Sequence, residues 1–236
     1  MLFGGLQKNS LIDYPGKVSC VLFLAGCNFN CPYCHNPDLV KCDNGSSSLV
    51  EADAVFDFLE RRRGILDGVV ISGGEPTLQK DLGFLCGRIK EVGYDVKLDT
   101  NGSRPAVVRK LIDQGLVDYV AMDIKTDPNQ YAKFICGGCR PESILEAIQV
   151  IMASSLPYEF RTTCVRPIVD GAAIEGIAKL ISGAKRYVLQ QFNQTHVLHP
   201  EFFGDTKPGY DQEELCHIRT RAEQWVERCE IRAPTC

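Results

Sequence analysis

Six apolar, β-prone segments alternate with segments of helical periodicity, and few folds accept this alternation. The predicted strands are Val18–Leu24, Gly68–Ser72, Tyr94–Thr100, Val117–Ile124, Tyr158–Val165 and Arg186–Phe192. They are rich in Val, Ile, Leu and Phe, as is typical of parallel strands covered by helices. Alternating strands and helices imply a parallel sheet with right-handed crossovers. Because six units are too few for an eight-fold barrel, we predict an α/β fold, an open partial (β/α)6 barrel with outer helices.

Capping patterns mark several helix ends. Ser48 with Glu51, and Asp211 with Glu214, have the spacing of a capping box. Gly93 directly follows a helical apolar stripe and is predicted to end that helix.

The composition is that of an ordinary globular protein. The chain has 236 residues, 44% hydrophobic and 24% charged, which predicts one domain over 1–236, with a core at about 17–192 and a C-terminal extension at 193–236. The net charge of −4 argues against a nucleic-acid partner. No apolar run is long enough for a membrane span, so we expect no membrane association and a cytoplasmic location.

Cysteine is the most informative residue type in this chain. Twelve cysteines in 236 residues are too few for a disulfide scaffold, and closely spaced ones favour a metal site or catalysis. Cys27, Cys31 and Cys34 form a C-x3-C-x2-C run directly after the first predicted strand. Three thiolates on one loop can hold an iron–sulfur cluster with one iron open to a small molecule. They can also hold zinc if His35 or Cys42 supplies a fourth ligand.

A second motif ends the next predicted strand. Gly73 and Gly74, followed by Glu75, let a ligand approach the backbone closely. A Gly-Gly pair alone usually marks a turn. One strand after three closely spaced cysteines, it indicates a binding site.

Together these two motifs resemble the radical S-adenosylmethionine (SAM) superfamily. Flanking motifs resemble its glycyl-radical-enzyme activases, especially the longer type of anaerobic ribonucleoside-triphosphate reductase activating protein. These motifs are Gly5-Leu6-Gln7-Lys8, Leu11-Ile12-Asp13-Tyr14-Pro15-Gly16, Cys34-His35-Asn36-Pro37 and Asp99-Thr100-Asn101-Gly102. The resemblance extends from residue 3 to about residue 192, and it makes the predicted partial barrel one of the radical SAM type.

The resemblance assigns roles to the two central motifs. It implies that the three cysteines ligate one four-iron, four-sulfur cluster, whose fourth iron takes the amino and carboxylate groups of S-adenosylmethionine. Tyr33 would lie near the adenine. Gly73, Gly74 and Glu75 would contact the methionyl amino group.

The resemblance also implies further cofactor-binding residues at later strand ends. These are Asp99, Asn101, Asp123, Lys125 and Arg161. Lys125 would pair with the methionyl carboxylate. A monovalent cation is expected near Asp99, Thr100 and Asp123.

The implied reaction is reductive cleavage of S-adenosylmethionine to a 5′-deoxyadenosyl radical, which removes a hydrogen atom from a glycine of a partner glycyl radical enzyme. The electron would come from a flavodoxin- or ferredoxin-type reductant, and no side chain is expected to act as an acid or base. Two alternatives stay open at this point. One is radical chemistry on a small molecule or another peptide, and the other is a zinc-stabilised, non-enzymatic interaction domain.

Two features depart from the activase pattern. Cys136 and Cys139 form a C-x2-C pair, which is more simply a reduced pair in a turn than a second metal site. Asn193 stands where activases often carry a histidine after the sixth strand.

Overall fold

A computed structural model of the chain describes residues 2–40, 50–136, 138, 140–205 and 207–233. Its strands form one eight-stranded sheet in the order β1-β2-β3-β4-β5-β6-β7-β8. The strands are β1 Phe3–Ser10, β2 Ser19–Leu24, β3 Gly68–Gly73, β4 Asp95–Thr100, β5 Tyr119–Asp123, β6 Tyr158–Cys164, β7 Tyr187–Gln191 and β8 Cys229–Arg232. β1 is antiparallel to β2, and every other neighbouring pair is parallel.

Helices connect the parallel strands. They are α1 Pro37–Val40, α2 Ala52–Arg61, α3 Leu82–Val92, α4 Pro105–Asp113, α5 Tyr131–Phe134, α6 Pro141–Met152, α7 Gly171–Leu180 and α8 Gln212–Glu223. Each strand from β2 to β7 is followed by at least one helix, which confirms the six predicted β/α units and the open partial barrel. None of the described helices is both long and apolar enough to cross a membrane.

The sheet has two strands more than the sequence predicts. β1 contains two glycines and four polar residues in eight positions, so its β propensity is weak, and it forms a strand because it pairs with β2. β8 has only four residues, all of them half-buried. It lies beyond the predicted core at 17–192, yet it joins the same sheet. The predicted division into a core at about 17–192 and an extension at 193–236 stays a prediction.

Two of the three predicted helix ends are confirmed. Gly93 follows α3 with φ of 103°, the left-handed conformation that favours glycine. The Asp211–Glu214 capping box opens α8. The Ser48–Glu51 box is wrong, because α2 begins at Ala52 with Glu51 itself as N-cap and no side-chain cap. Val50 donates its N–H to the carbonyl of Phe3 at 2.8 Å and forms an antiparallel bridge with it, so the helix begins only after this contact. Ser48 lies outside the described residues.

The two faces of the sheet differ in chemistry. On β4, Val96 and Leu98 belong to the main hydrophobic core. Because side chains alternate along a strand, Lys97 and Asp99 lie on the opposite face, which lines the inside of the partial barrel. A small apolar cluster of Tyr14, Val21, Val70, Tyr119 and Ala121 occupies this inner face. Above it, at the carboxyl ends of the strands, the inner face becomes polar.

Candidate active site at the carboxyl ends of the strands

A cavity of about 230 Å³ lies at the carboxyl ends of β2 to β7. It is lined by eleven of the twelve predicted site residues: Cys27, Cys31, Tyr33, Cys34, Gly73, Gly74, Asp99, Asn101, Asp123, Lys125 and Arg161. The fold therefore brings predicted residues from five different strand ends together around one cavity. Glu75 is the exception, because its side chain is fully buried and does not line the cavity.

The cysteine loop, residues 27–34, is held by hydrogen bonds from three other segments. The side chain of Asn101 donates to the Asn28 side chain at 3.0 Å, which ties the loop to the end of β4. The N–H of Asn30 donates to the Ile135 carbonyl at 2.9 Å. The N–H groups of Leu198 and His199 donate to the Cys34 and Pro32 carbonyls at 3.1 and 3.0 Å. The loop conformation is thus fixed by tertiary contacts.

The Gly73–Gly74 pair packs directly against the start of the cysteine loop. A Cβ on Gly73 would lie 2.4 Å from the backbone N and O of Leu24, and Gly73 has φ of 117°. A Cβ on Gly74 would lie 2.0 Å from the Gly26 carbonyl oxygen. The glycines therefore allow two loops to meet backbone to backbone, in addition to leaving space for a ligand.

We expect Gly74→Ala to destabilise the protein and to displace the cysteine loop. The obstacle is a backbone carbonyl that cannot rotate away, so the cost should reach about 1–3 kcal/mol, as for other overpacked sites. Thermal unfolding and iron bound per chain after reconstitution measure the two effects. Gly176→Ala on α7 is the control, since a Cβ there meets nothing within 4 Å. We expect this variant to raise the free energy of unfolding by about 0.4–1 kcal/mol. Equal unfolding temperatures and equal iron contents in the two variants would contradict this account.

Glu75 organises the strand ends behind the cavity. Its carboxylate accepts hydrogen bonds from the N–H of Thr77 at 3.1 Å, the hydroxyl of Thr100 at 2.8 Å and the N–H of Asn101 at 2.6 Å. It also accepts a short hydrogen bond from the Thr77 hydroxyl. Burial raises the pKa of Glu75, and these donors oppose that shift. The side chain thus joins β3 to β4, and a contact with the methionyl group would have to come from its backbone.

An ion network of Lys97, Asp99, Asp123, Lys125 and Arg161 forms the floor of the cavity. Arg161 Nε lies 2.6 Å from Asp123 Oδ1, and Arg161 Nη1 lies 3.3 Å from Asp99 Oδ2. Lys125 Nζ lies 2.9 Å from the other Asp123 oxygen. The buried Lys97 pairs with Asp99 on its own strand. The network links β4, β5 and β6 by charge-assisted hydrogen bonds.

The cations set the ionisation of the two carboxyl groups. Burial alone would raise the pKa of Asp123, but Arg161 and Lys125 outweigh it and hold that pKa well below its usual range. Burial also opposes ionisation of Asp99, and Arg161 with Lys97 again lowers the pKa overall. Burial lowers the pKa of Lys97, although Asp99 offsets part of this effect. Both carboxylates are therefore charged at neutral pH.

These lowered pKa values predict a loss of stability in acid. A carboxyl group with a lower pKa in the folded state stabilises the fold above the unfolded-state pKa, about 3.9 for Asp, and this contribution is lost as the pH falls further. We therefore expect the free energy of unfolding to fall steeply below about pH 4. Denaturant unfolding of the apoprotein from pH 7 to pH 3 measures this. Asp123→Asn should flatten the acid limb of the curve, and an unchanged slope would contradict the assignment.

Comparison with known proteins identifies the family. The sequence model of the Radical SAM superfamily matches residues 21–181, well over half of the chain. The chain belongs to the radical SAM superfamily. It is therefore an enzyme of the radical SAM type, and the alternative of a non-enzymatic zinc domain is wrong.

Two similar relatives are named as activating enzymes. The chain is 37% identical over 238 residues to a "putative glycyl-radical enzyme activating enzyme" of Methanocaldococcus jannaschii, covering 98% of this chain and 95% of the relative. It is 31% identical over 179 residues to the pyruvate formate-lyase-activating enzyme of Streptococcus mutans, covering 72% of this chain and 67% of the relative. Among solved structures, Streptococcus suis SuiB bound to S-adenosylmethionine superposes with a TM-score of 0.66 at 14% identity, covering 92% of this chain and 52% of that one. This last likeness confirms the fold.

The cysteine loop suits the cluster that a radical SAM enzyme carries. Its donor set is three thiols on one loop, at the rim of a polar cavity. Among the described residues, no three His, Cys, Asp or Glu side chains converge as the ligands of a single ion would. A cubane cluster needs no such convergence, because each thiolate binds a different iron. Burial raises the pKa of the Cys31 thiol to about 12, so cluster binding must displace a tightly held proton.

Several cavity residues of this radical SAM enzyme were not predicted from the sequence. They include Ser72, Thr163 and Gln190, which line the cavity, and Lys97, which pairs with the lining residue Asp99. His35, considered above as a zinc ligand, also lines the cavity. A signal existed for Lys97: Asp95, Lys97 and Asp99 alternate with apolar residues inside the predicted strand Tyr94–Thr100. This period of two marks one polar face.

Three predictions find no test in the radical SAM site. Asp99 and Asp123 lie together, but Lys97, Lys125 and Arg161 already neutralise them, so the monovalent cation stays a prediction. Cys139, the partner of Cys136 in the C-x2-C motif, lies outside the described residues, as does Cys42. Asn193 accepts a hydrogen bond from the N–H of Thr195 at 3.0 Å and lines a neighbouring cavity.

Proposed function

We propose that this enzyme generates a glycyl radical in a partner protein, with anaerobic ribonucleoside-triphosphate reductase as the favoured partner. The observation that carries the proposal is the convergence of the three cysteines, the Gly73–Gly74 loop and the ion network on one cavity. The activase relatives support the partner class, and the flanking motifs of the sequence favour the reductase.

In this proposal, Cys27, Cys31 and Cys34 hold one four-iron, four-sulfur cluster beside bound S-adenosylmethionine. When bound, the cluster supplies the electron that cleaves S-adenosylmethionine into methionine and the 5′-deoxyadenosyl radical, which removes a hydrogen atom from the partner's glycine. A flavodoxin- or ferredoxin-type protein is the proposed electron donor.

The remaining site residues bind and orient S-adenosylmethionine. Lys125 keeps two ammonium hydrogens beyond its contact with Asp123, and these can hold the methionyl carboxylate. Gly73 and Gly74 leave backbone groups open to the amino group. Tyr33 is buried, with its hydroxyl donating to the Lys125 carbonyl at 3.4 Å, so its ring forms a rigid wall for the adenine. The proposed monovalent cation would have to displace one of the ammonium or guanidinium groups around Asp99 and Asp123.

Electron paramagnetic resonance on a panel of partners tests the proposal. The protein is reconstituted anaerobically with iron and sulfide, reduced, and mixed with S-adenosylmethionine and either an anaerobic ribonucleoside-triphosphate reductase or a pyruvate formate-lyase. We expect a glycyl radical signal with the reductase and less or none with the lyase. A signal with the lyase alone would overturn the favoured partner.

Release of 5′-deoxyadenosine with no radical on either protein would instead favour the alternative, a small-molecule or other peptide substrate. No 5′-deoxyadenosine under any condition would contradict the reaction itself.

A further inference from the structure

A second cavity opens beside the first, at the side of the partial barrel. It is lined by Ile12 and Asp13 after β1, by the end of β8, and by residues of β6 and β7. Four residues line both cavities: His35, Arg161, Thr163 and Gln190. A molecule that passes from the second cavity into the first therefore meets these residues.

Thr163 and Gln190 form a neutral polar pair on this shared wall. They are register partners on the neighbouring strands β6 and β7, so their side chains stand side by side. Among the described residues, neither side chain has a hydrogen-bond partner. Both are only half-buried because they face the cavities.

Three other polar side chains around the side opening are already engaged. Arg161 is held by Asp99 and Asp123. Gln191 donates to the Tyr210 carbonyl at 3.0 Å, and Arg232 lies 3.2 Å from Glu159. Thr163 and Gln190 are thus two neighbouring side chains on the shared wall whose hydrogen-bonding capacity is left for a substrate.

We propose that Thr163 and Gln190 bind the main chain on either side of the glycine that loses its hydrogen atom. This inference rests on the proposed function. A glycine has no side chain by which it can be recognised, so its flanking peptide groups must carry the recognition. A peptide group is neutral, with one donor and one acceptor, and a carboxamide and a hydroxyl each offer both. The pair therefore determines the position of the substrate.

A sequence-neutral peptide is the appropriate probe, because the proposed contacts are to main-chain atoms. The probe is a blocked heptapeptide of alanines around one dideuterated glycine, at millimolar concentration. Reconstituted enzyme, dithionite and S-adenosylmethionine are added, and mass spectrometry follows deuterium in 5′-deoxyadenosine. In the balanced step, one electron from dithionite breaks the C5′–S bond of S-adenosylmethionine and releases methionine. One Cα–²H bond is broken in glycine and one C–²H bond is formed in 5′-deoxyadenosine, which leaves the unpaired electron on the glycine α-carbon.

Matched variants separate the hydrogen bonds from packing. Thr163→Val removes the hydroxyl and keeps the shape, whereas Thr163→Ser keeps the hydroxyl. Gln190→Met removes the amide at constant length. We expect the KM for the peptide to rise about 10-fold in the Val and Met variants, the size of one lost hydrogen bond, and to stay within about 2-fold of wild type in the Ser variant. The KM for S-adenosylmethionine should change much less than the KM for the peptide. Thermal unfolding checks that all three variants fold.

The outcomes distinguish the two proposals. If wild type transfers no deuterium, the proposed function fails for peptides, and this inference fails with it. If wild type transfers deuterium and the Val and Met variants have an unchanged KM for the peptide, this inference alone is overturned. An equal rise in the KM for S-adenosylmethionine would also overturn it, because the pair would then serve the cofactor.

Discussion

Cys31→Ala should lose reductive cleavage of S-adenosylmethionine while keeping the fold. Cys31 is the buried middle cysteine of the loop, and alanine fits in its place. Replacing outer partners of metal ligands commonly costs about 10–100-fold in affinity or activity, so removing a ligand should cost at least about 100-fold. The measurements are iron and sulfide per chain after anaerobic reconstitution, and 5′-deoxyadenosine formed per chain.

The matched control for this variant is Cys86→Ala. Cys86 is also a buried cysteine, on α3 and in the hydrophobic core away from the cavity. The Cys86→Ala protein should bind the cluster and cleave S-adenosylmethionine as the wild-type protein does. A Cys31→Ala protein with wild-type iron content and turnover would show that the cluster lies elsewhere. Loss of activity in both variants would mean that thiol removal acts through the fold.

Arg161→Met should cause the largest loss of stability among single changes in the cavity. Its guanidinium is shared by Asp99 and Asp123, and the side chains of all three residues are at least three-quarters buried. Removing one partner of a buried ion pair leaves an uncompensated charge, which typically costs about 3–5 kcal/mol. Denaturant unfolding of the apoprotein at pH 7 measures the free energy of unfolding.

An exposed ion pair provides the control. Arg109 lies 3.0 Å from Glu146, with about half of each side chain exposed, so Arg109→Met should cost less than about 1 kcal/mol. The difference between Arg161→Met and wild type should also narrow in acid, because protonation of the carboxyl groups removes the unpaired charge. A cost equal to that of the Arg109 variant would contradict the assigned role of the network.

The sequence alone was sufficient to predict the six repeating β/α units of the fold. All six predicted strands are present, and each predicted end lies within two residues of the observed one. Runs of Val, Ile and Leu between helical stripes have few other interpretations. The site could also be located in advance. The cysteine run and the glycine pair follow successive parallel strands, and the carboxyl ends of such strands meet at one edge.

Tertiary structure decided the edges of the sheet and the helix start at α2. β1 and β8 have weak local propensity and exist because a neighbouring strand offers hydrogen-bonding partners. Glu51 became an N-cap instead of an N3 residue because Val50 pairs with Phe3. Each of these contacts joins residues distant in sequence, so no local pattern reports them.

The roles of individual site residues also depended on the tertiary structure. Glu75 belongs to a motif that predicts ligand binding, but its carboxylate accepts hydrogen bonds from Thr77, Thr100 and Asn101 instead. Alternation along the strand places Lys97 on a polar face, but only the folded chain shows that it is buried inside the barrel against Asp99. The sequence by itself determined which residue types reach the carboxyl edge. Only the folded chain decided which of them pair with one another and which, like Thr163 and Gln190, remain available to a substrate, because hydrogen-bond partners are assigned by distance in space.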